Sequence, residues 1–590
     1  MKQKSYYRYI ELIFVLVLTV LFFKFRSNEI SYGLPYFWNR DEIAFQGSVL
    51  SSLSILTGYF EKNYNPFYTS IFNLIIILKS IFINEFLINS LSFEQIKSKI
   101  YFNTELFVYY GRLASVITTS STIFCLYLIF KKLKINSIIS ITLLTTFATS
   151  IVLLNVSTIF GKNSSYLLIY LVQLYYLIKF QIKIEKFNIK SYFIFGVLAS
   201  LAWGVNYWTA FVSIYAVFSL HLIKYKLSKI NYLIFFVIIF LIFGPIINSS
   251  FTSSDATFWL IPEDTNNFSI RLFLDSAFND IYAGFRMLFL TEKNSLLLFI
   301  ITPIFLMNKY VKFKREFLII FVLIFEPIFV FSIIENIIPE LRYYAGINSV
   351  VLILIAIIFN QFSKINYKYF IVFFLIFNFY VINNNIQKYN EINNIVSKNH
   401  SFFNFNKNIG VNSSKVFYFI DLSFQESLNQ NKYYIKLYDG DLIKKDDTSK
   451  KFNNHIKQKI KKIQNTDEII IKDTNLKKDL IYFNYTNNQI ENLKSFFEFI
   501  KKDFDYIVIE ESKPFHLNNA INQAKIKSYV KENYTLKKIL FNEEKIFLKS
   551  QRDVTNFYAN TINHYNFVDN ADNKDLEPVF GLNYGLYKLK

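Results

Sequence analysis

What restricts this chain most is a series of long apolar runs with almost no charge inside them. "YIELIFVLVLTVLFF" (9–23), "YLIFFVIIFLIFG" (232–244) and "VVLILIAIIFN" (350–360) are examples. A helix needs roughly 20 apolar residues to cross a bilayer. In lipid a helix satisfies its own backbone polar groups, as an open strand cannot. Several such runs in one chain predict a polytopic α-helical membrane protein. Basic residues precede the first run (Lys2, Lys4, Arg8), as in a signal peptide. The run then continues into "FFKFRSNE" without a small-residue cleavage site, so it reads as an uncleaved anchor.

The net charge of +20 invites a nucleic-acid partner. Much of the excess lies in short loops between apolar runs, where the positive-inside rule puts it, and no nucleic-acid partner is expected. The clusters are Lys131, Lys132 and Lys134; Lys179, Lys183, Lys186 and Lys190; Lys224, Lys226 and Lys229; Lys309, Lys312, Lys314 and Arg315; and Lys364 with Lys368. Two crossings fit between successive clusters, so all can face the cytoplasm. The alternate loops, "NVSTIFGKNS" (155–164), 249–280 and "IIENIIPELRYY" (333–344), are poorer in Lys and Arg and face outward.

Parity fixes one further point. With residues 2–8 inside, residues 26–65 are outside. A crossing at 66–88 followed by one at 113–130 would put "KKLK" outside and invert every later loop. Residues 66–88 are therefore expected to lie in the outer interface rather than cross. About eleven crossings follow: near 10–25, 108–130, 137–154, 164–180, 192–205, 207–223, 231–248, 295–308, 316–333, 345–361 and 367–384. The outward segments are 26–107 and 249–294. In the second, Phe278, Ile281, Phe285 and Leu288 recur at helical spacing.

Residues 1–385 thus form the membrane module, and 386–590 a different kind of segment. It is polar and rich in Asn and Lys, with strand-like runs "KVFYFID" (415–421), "DEIIIKD" (467–473) and "DYIVIEE" (505–511). Helical patterns at 489–504 and 516–534 alternate with them, which predicts an extracytoplasmic α/β domain. It has no Gly-rich phosphate loop. Cys125 is the one cysteine, which excludes an intramolecular disulfide and a Cys-based metal site. The five histidines (221, 400, 455, 516 and 564) show no paired ligand spacing.

Beyond the first run lies "YFWNRDEIAFQGSVL" (36–50), with Arg40, Asp41 and Glu42 consecutive in an otherwise apolar setting. "RDEIAFQGSVLSSLSILTGYF" (40–60) and "EKNYNPFYTSIFN" (61–73) come first in an ordered set. "YYGRLASVITTSSTIFCLYLIFKKL" (109–133), "FGVLASLAWGVNYWTAF" (195–211) and "LRYYAGINSVVLILIA" (341–356) complete it. In order and spacing these resemble the GT-C glycosyltransferases, in particular the protein O-mannosyltransferase and aminoarabinose-transferase branch that uses polyprenyl-phosphate sugars. The resemblance covers roughly residues 1–385.

The resemblance implies inverting transfer of a sugar from a polyprenyl phosphate to an acceptor at the outer face of the cytoplasmic membrane. The acceptor is not legible: protein Ser/Thr, lipid A, a wall polymer and a glycolipid all fit. Asp41 matches the family's acidic residue and is the candidate base, with Glu42 beside it. Lys62, Arg112 and Arg342 are candidates for the donor phosphate. Arg40, Tyr64, Tyr68, Asn163, Asn206 and Tyr343 are candidates for lining the substrate path. Bland readings stand beside these. An acidic pair at a helix start suits the macrodipole, edge cations snorkel, and interfacial tyrosines form an aromatic belt. Two positions depart from the family. Asn163 stands where an Asp joins the first Asp at a metal, and an amide is a poorer ligand for a hard cation, which weighs against a divalent metal. Asn206 stands where the family has Lys. Two other classes compete with the enzyme: a lipid-linked glycan flippase or transporter, and a non-catalytic subunit of an envelope assembly. Internal repeats and charges midway along helices would mark the transporter, and neither is evident in the sequence.

Overall fold

The computed structural model describes residues 2–28, 30, 71–90, 104–157, 163–205, 207–247, 281, 285, 289, 293–308, 314–325, 328, 344–364, 368–402, 416–419, 433–439, 468–473, 478–485, 505–510, 528–540, 546–548, 577–580 and 584–590. Two compact units emerge: Met1–Ile30, Gly47–Ile81 and Tyr110–Asn390 form one, and Ser31–Gln46, Phe82–Tyr109 and Glu391–Lys590 the other.

The first unit is helical, and two of its helices, at Thr104–Leu133 and Lys368–Phe402, run partly into the second. The helices are α1 (Lys2–Ser27), α2 (Ile71–Ile81), α3 (Thr104–Leu133), α4 (Ser137–Thr149), α5 (Ile151–Ser157), α6 (Asn163–Ile182) and α7 (Ile189–Val205). These are followed by α8 (Ala210–Tyr225), α9 (Ile230–Ile247), α10 (Lys293–Met307), α11 (Lys314–Val322), α12 (Tyr344–Lys364) and α13 (Lys368–Phe402). Four stretches are long and apolar enough to cross a membrane: Tyr109–Leu133, Ser164–Ile182, Tyr344–Lys364 and Tyr369–Gln387. A helical protein with several such segments is membrane-associated.

Burial inverts the soluble pattern. In α12 every residue from Tyr344 to Phe362 is buried, as expected of a helix apolar all round at the centre of a bundle. The outside is greasy: Ile13, Leu16, Val17 and Val20 on α1, Ile234, Val237, Ile238 and Leu241 on α9, and Val372, Phe373, Ile376 and Phe379 on α13 are exposed. Such area has no place in water but suits lipid tails. Small hydroxyls line the interior instead. On α3, Thr118, Thr119 and Ser120 donate to the carbonyls of Ala114, Ser115 and Val116 at 2.7–2.8 Å, which satisfies these three buried hydroxyls within their own helix. Gly196 and Ser200 form a small-xxx-small pair on α7 that admits α9. A Cβ on Gly196 would stand 2.5 Å from Ile239 Cγ2, and Ser200 Oγ donates to Phe240 O at 3.1 Å.

Cross-helix bonds fix the directions. Lys131 near the end of α3 pairs with Glu11 near the start of α1 at 2.6 Å, and Ser137 at the start of α4 donates to the same carboxylate at 2.6 Å. Arg112 near the start of α3 donates to Ile30 O, just past α1, at 3.0 Å. So α1 and α3 are antiparallel. Asn360 Oδ1, late in α12, accepts from Asn136 N at 3.0 Å, and Asn348 Nδ2, early in α12, donates to Ser150 Oγ at 2.9 Å, so α4 and α12 are antiparallel as well. Phe180 on α6 meets Phe187 at 5.7 Å, and Lys224 late in α8 donates to Glu185 O at 2.8 Å. Tyr232 early in α9 meets Tyr225 at 5.7 Å. Lys131, Lys179, Lys183, Lys186, Lys224 and Lys229 accordingly gather at one end of the unit. Arg26 and Arg112 mark the opposite end. These are called the lysine end and the arginine end below.

The helix between the two ends is broken in places where one crossing was expected. Segment 137–154 is two helices, because Ser150 is extended (φ −60°, ψ 130°) and its hydroxyl is held by Asn348. Segment 316–333 is helical as α11 to Val322 and then turns at 323–325. Segment 367–384 is part of a longer helix, α13, which runs through residue 385 to Phe402. In segment 66–88, α2 has 11 residues and passes into a π-helical turn at Phe82–Ile88. At 1.5 Å per residue, α2 spans about 16 Å, roughly half a bilayer core.

In the second unit the described residues include nine strands, β1 (Val416–Phe419), β2 (Tyr433–Asp439), β3 (Glu468–Asp473), β4 (Lys478–Tyr485), β5 (Tyr506–Glu510), β6 (Tyr534–Leu540), β7 (Ile546–Leu548), β8 (Glu577–Phe580) and β9 (Tyr584–Leu589). The three strand-like runs of the sequence are β1, β3 and β5. The four-stranded sheet has the order β1-β5-β9-β6, with β1 parallel to β5 and the other pairs antiparallel. Ile507, Leu586 and Tyr587 are buried at its centre. The parallel β1–β5 pair needs a crossover connection, which the long interval between the strands supplies. β2-β4-β3 forms a second sheet and β7-β8 a third. The expected helix at 489–504 and most of that at 516–534 lie outside the described residues.

Candidate functional site

The arginine end is where the sequence candidates' flanking residues meet. Arg112, the one phosphate candidate with a described side chain, sits on α3 at 2% exposure. It does not snorkel. Its Nη1 bonds Ile30 O, tying α3 to the point where the chain leaves α1 toward Arg40, Asp41 and Glu42.

Arg26 lies beside it in the fold and is equally buried. Its Nε donates to Ser157 Oγ and its Nη2 to Leu154 O, both at 2.8 Å, and its guanidinium lies 5.5 Å from the Tyr389 ring centroid. One side chain thereby joins α1, α5 and α13. A planar fork with fixed donors suits this three-way junction better than an ammonium would.

Three further helix ends lie at the same end of the unit, opposite the lysines. Gly346, near the start of α12, packs on the Tyr170 ring of α6, with 3.5 Å from a Cβ position to the ring atoms. A Cβ alone fits there in ordinary contact, and a side chain that extends beyond it toward the ring would push the two helices apart. Tyr166 and Tyr170 contact Trp208 in the 3-10 turn Tyr207–Thr209, at 5.4 and 6.3 Å between ring centroids. Thr209 Oγ1 donates to Ala202 O at 3.2 Å and closes the tight turn between α7 and α8. The aromatic and hydroxyl-rich wall made by Tyr166, Tyr170, Trp208 and Tyr344 is fully buried.

The candidates stand in relation to this frame by sequence adjacency. Asn163 opens α6; Asn206 falls between α7 and the Tyr207 turn; Arg342 and Tyr343 immediately precede Tyr344. Their side chains, and those of Arg40, Asp41, Glu42, Lys62, Tyr64 and Tyr68, lie outside the described residues. Among the described residues no group of three or more His, Cys, Asp or Glu is placed to hold a metal ion.

Sequence reasoning passed over Arg26. Its signal was present: a basic residue closing the first apolar run on the side where the other loops are poor in Lys and Arg. Glu11 was passed over too. It is 1% exposed and lies at the lysine end, with Lys131 and Ser137 as partners more than a hundred residues away.

No protein-family model matches the chain, and no curated protein matches it. Assignment of activity therefore rests on the ordered motifs and on this geometry.

Proposed function

We propose that the chain is a membrane glycosyltransferase that moves a sugar from a polyprenyl-phosphate donor to an acceptor at the arginine end, with inversion. One observation carries the reading. Three of the five motif segments contain Arg112, Trp208 and Tyr344, Ile30 precedes the acidic segment and Ser164 follows Asn163, and these residues belong to helix ends at one end of the unit, opposite the lysines. A lipid-borne substrate requires a site at the membrane surface, since its tail stays in lipid and its head in water.

On this reading the lysine end is cytoplasmic, the arginine end extracytoplasmic, and about eleven helices cross the cytoplasmic membrane. Residues 66–88 lie in the outer interface, and residues 386–590 form an extracytoplasmic α/β domain. The acceptor's hydroxyl or amine gives its proton to the Asp41 carboxylate as its oxygen or nitrogen bonds the anomeric carbon. The bond from that carbon to the phosphate oxygen breaks, and the polyprenyl phosphate departs with the electron pair. Lys62, Arg112 and Arg342 offset the charge on the leaving phosphate. Glu42 supports Asp41, and Arg40, Tyr64, Tyr68, Asn163, Asn206 and Tyr343 line the path. A divalent metal is not required by this scheme, and Asn163 is a poor ligand for one.

The test is comparative mass spectrometry of glycolipids and glycoproteins from a deletion strain complemented with the wild-type or the Asp41→Asn chain. The deletion names the acceptor and the sugar. Asp41→Asn is expected to lower the transfer rate about 10²–10⁴-fold at normal protein level. Full retention of the glycan would overturn the role of Asp41.

A further inference from the structure

The lysine end holds a cluster that the proposed transfer does not use. Lys132 lies in the last turn of α3 and Lys179 in the last turn of α6. Lys183 and Lys186 follow on the same tight turn, with Lys183 N bonded to Lys179 O at 3.3 Å and Lys186 N to Lys183 O at 3.0 Å. All three lie close enough to Lys132 for their charges to repel its own. Among the described residues none of the four has a carboxylate partner. Glu11 is taken by Lys131, and the exposed Glu185 on the same turn forms no ion pair among the described residues. Four like charges held together without a counter-ion are self-repelling unless an anion joins them.

Apolar side chains precede the cluster on both helices. Leu128, one turn before Lys132 on α3, is exposed. On α6, Lys179 lies over the rings of Tyr176 and Phe180 at 5.0 and 5.7 Å. Cations one turn beyond an exposed leucine on α3 and a half-buried tyrosine on α6 match an amphiphile lying parallel to the helices.

The geometry points to a binding site for an anionic phospholipid with two phosphates in its headgroup, of the cardiolipin type, seated on Lys132, Lys179, Lys183 and Lys186 with its acyl chains along Leu128 and Tyr176. Two phosphates answer four lysines where a single phosphate leaves most of the charge unopposed. The site is separate from the arginine end, so it stands whether or not the sugar transfer does.

The experiment uses the full-length purified chain in nanodiscs and in detergent. Cardiolipin, phosphatidylglycerol at equal phosphate, and inorganic pyrophosphate are the probes, read by retained lipid in native mass spectrometry and by apparent affinity. Cardiolipin is expected to be retained selectively. Lys179→Gln with Lys183→Gln should weaken it about thirty-fold, at about tenfold per 1.4 kcal/mol and roughly 1 kcal/mol for each lysine, while the double Arg variant keeps it. Lys190→Gln with Lys226→Gln, at the same end but outside the cluster, should leave it unchanged. Equal retention of phosphatidylglycerol, equal weakening by the Lys190 and Lys226 pair, or equal competition by pyrophosphate would each overturn the proposal. The first two outcomes would mean a diffuse basic field, and the third a site for soluble phosphates.

Discussion

The two ends of the helical unit handle positive charge in opposite ways. At the lysine end the cations are numerous, and Lys132, Lys179, Lys183 and Lys186 lack carboxylate partners among the described residues. At the arginine end the two described arginines are buried and bonded to backbone and side-chain oxygens from other helices. An ammonium on a flexible stem can reach water or a headgroup, whereas a guanidinium fork can be enclosed once its donors are met. Lysines at one end therefore keep their charge at the surface, and Arg26 and Arg112 at the other tie helices together. Among the described residues the exception at the lysine end is the Glu11–Lys131 pair, whose carboxylate is shut inside while its lysine stays 31% exposed.

The comparison is broken most strongly where a buried group loses its partner. Arg26→Ala removes two buried charge-assisted bonds, to Ser157 Oγ and Leu154 O, leaving Leu154 O with the Ser157 hydroxyl as donor at 2.7 Å, and is expected to cost roughly 2–4 kcal/mol, seen as a lower thermal unfolding midpoint in detergent. Lys226→Gln, at the exposed lysine end, should stay within about 0.5 kcal/mol of the parent. Equal effects would erase the distinction between the ends. Within the exceptional pair, Lys131→Ala leaves a buried carboxylate uncompensated and should cost about 3 kcal/mol. Glu11→Gln keeps an acceptor for Ser137 and frees a lysine that reaches solvent, so its cost should be smaller, about 1 kcal/mol. The reverse order would mean that Glu11 is not held as an enclosed carboxylate.

Much of this frame is legible in the sequence and some of it is not, for a physical reason. Apolar runs announce their helices, since period and length are local properties, and the lysine clusters sort themselves to one end through the alternation of short loops. Glu11 is invisible by the same means. One acid in a long apolar run looks like an edge residue until Lys131 and Ser137 are brought to it by packing. The break at Ser150 is likewise non-local, held by Asn348 from α12. The acidic pair Asp41 and Glu42 drew attention because three charges stand together, yet the described structure reaches it only through Ile30 and Arg112.

Between the ends, helix contact depends on small residues. Gly196→Val inserts atoms where even a Cβ stands 2.5 Å from Ile239, and should cost about 1–3 kcal/mol by forcing α7 from α9. The same unfolding assay checks it, and an unchanged midpoint would mean that the pair is not closely packed. The smallest effect is at Lys134, which holds φ 56° after α3. Ile135 N bonds Phe130 O at 3.0 Å and Lys134 N bonds Lys131 O at 3.1 Å, the pattern that favours glycine at that position. Lys134→Gly should stabilise by about 0.5–1 kcal/mol, with relief of left-handed strain partly offset by a freer unfolded chain. Destabilisation would show that the lysine side chain outweighs its backbone strain.

The central claim is that the two ends face opposite sides of one membrane, with the arginine end outside. Single cysteines in a Cys125→Ser background test it, labelled in intact cells with a membrane-impermeant maleimide. Asn28→Cys, exposed beside Arg26, and Ser90→Cys, exposed after the π-helical turn, should label from outside, while Lys226→Cys should label only after lysis. Labelling of Lys226→Cys in intact cells together with protection of Asn28→Cys would contradict the account.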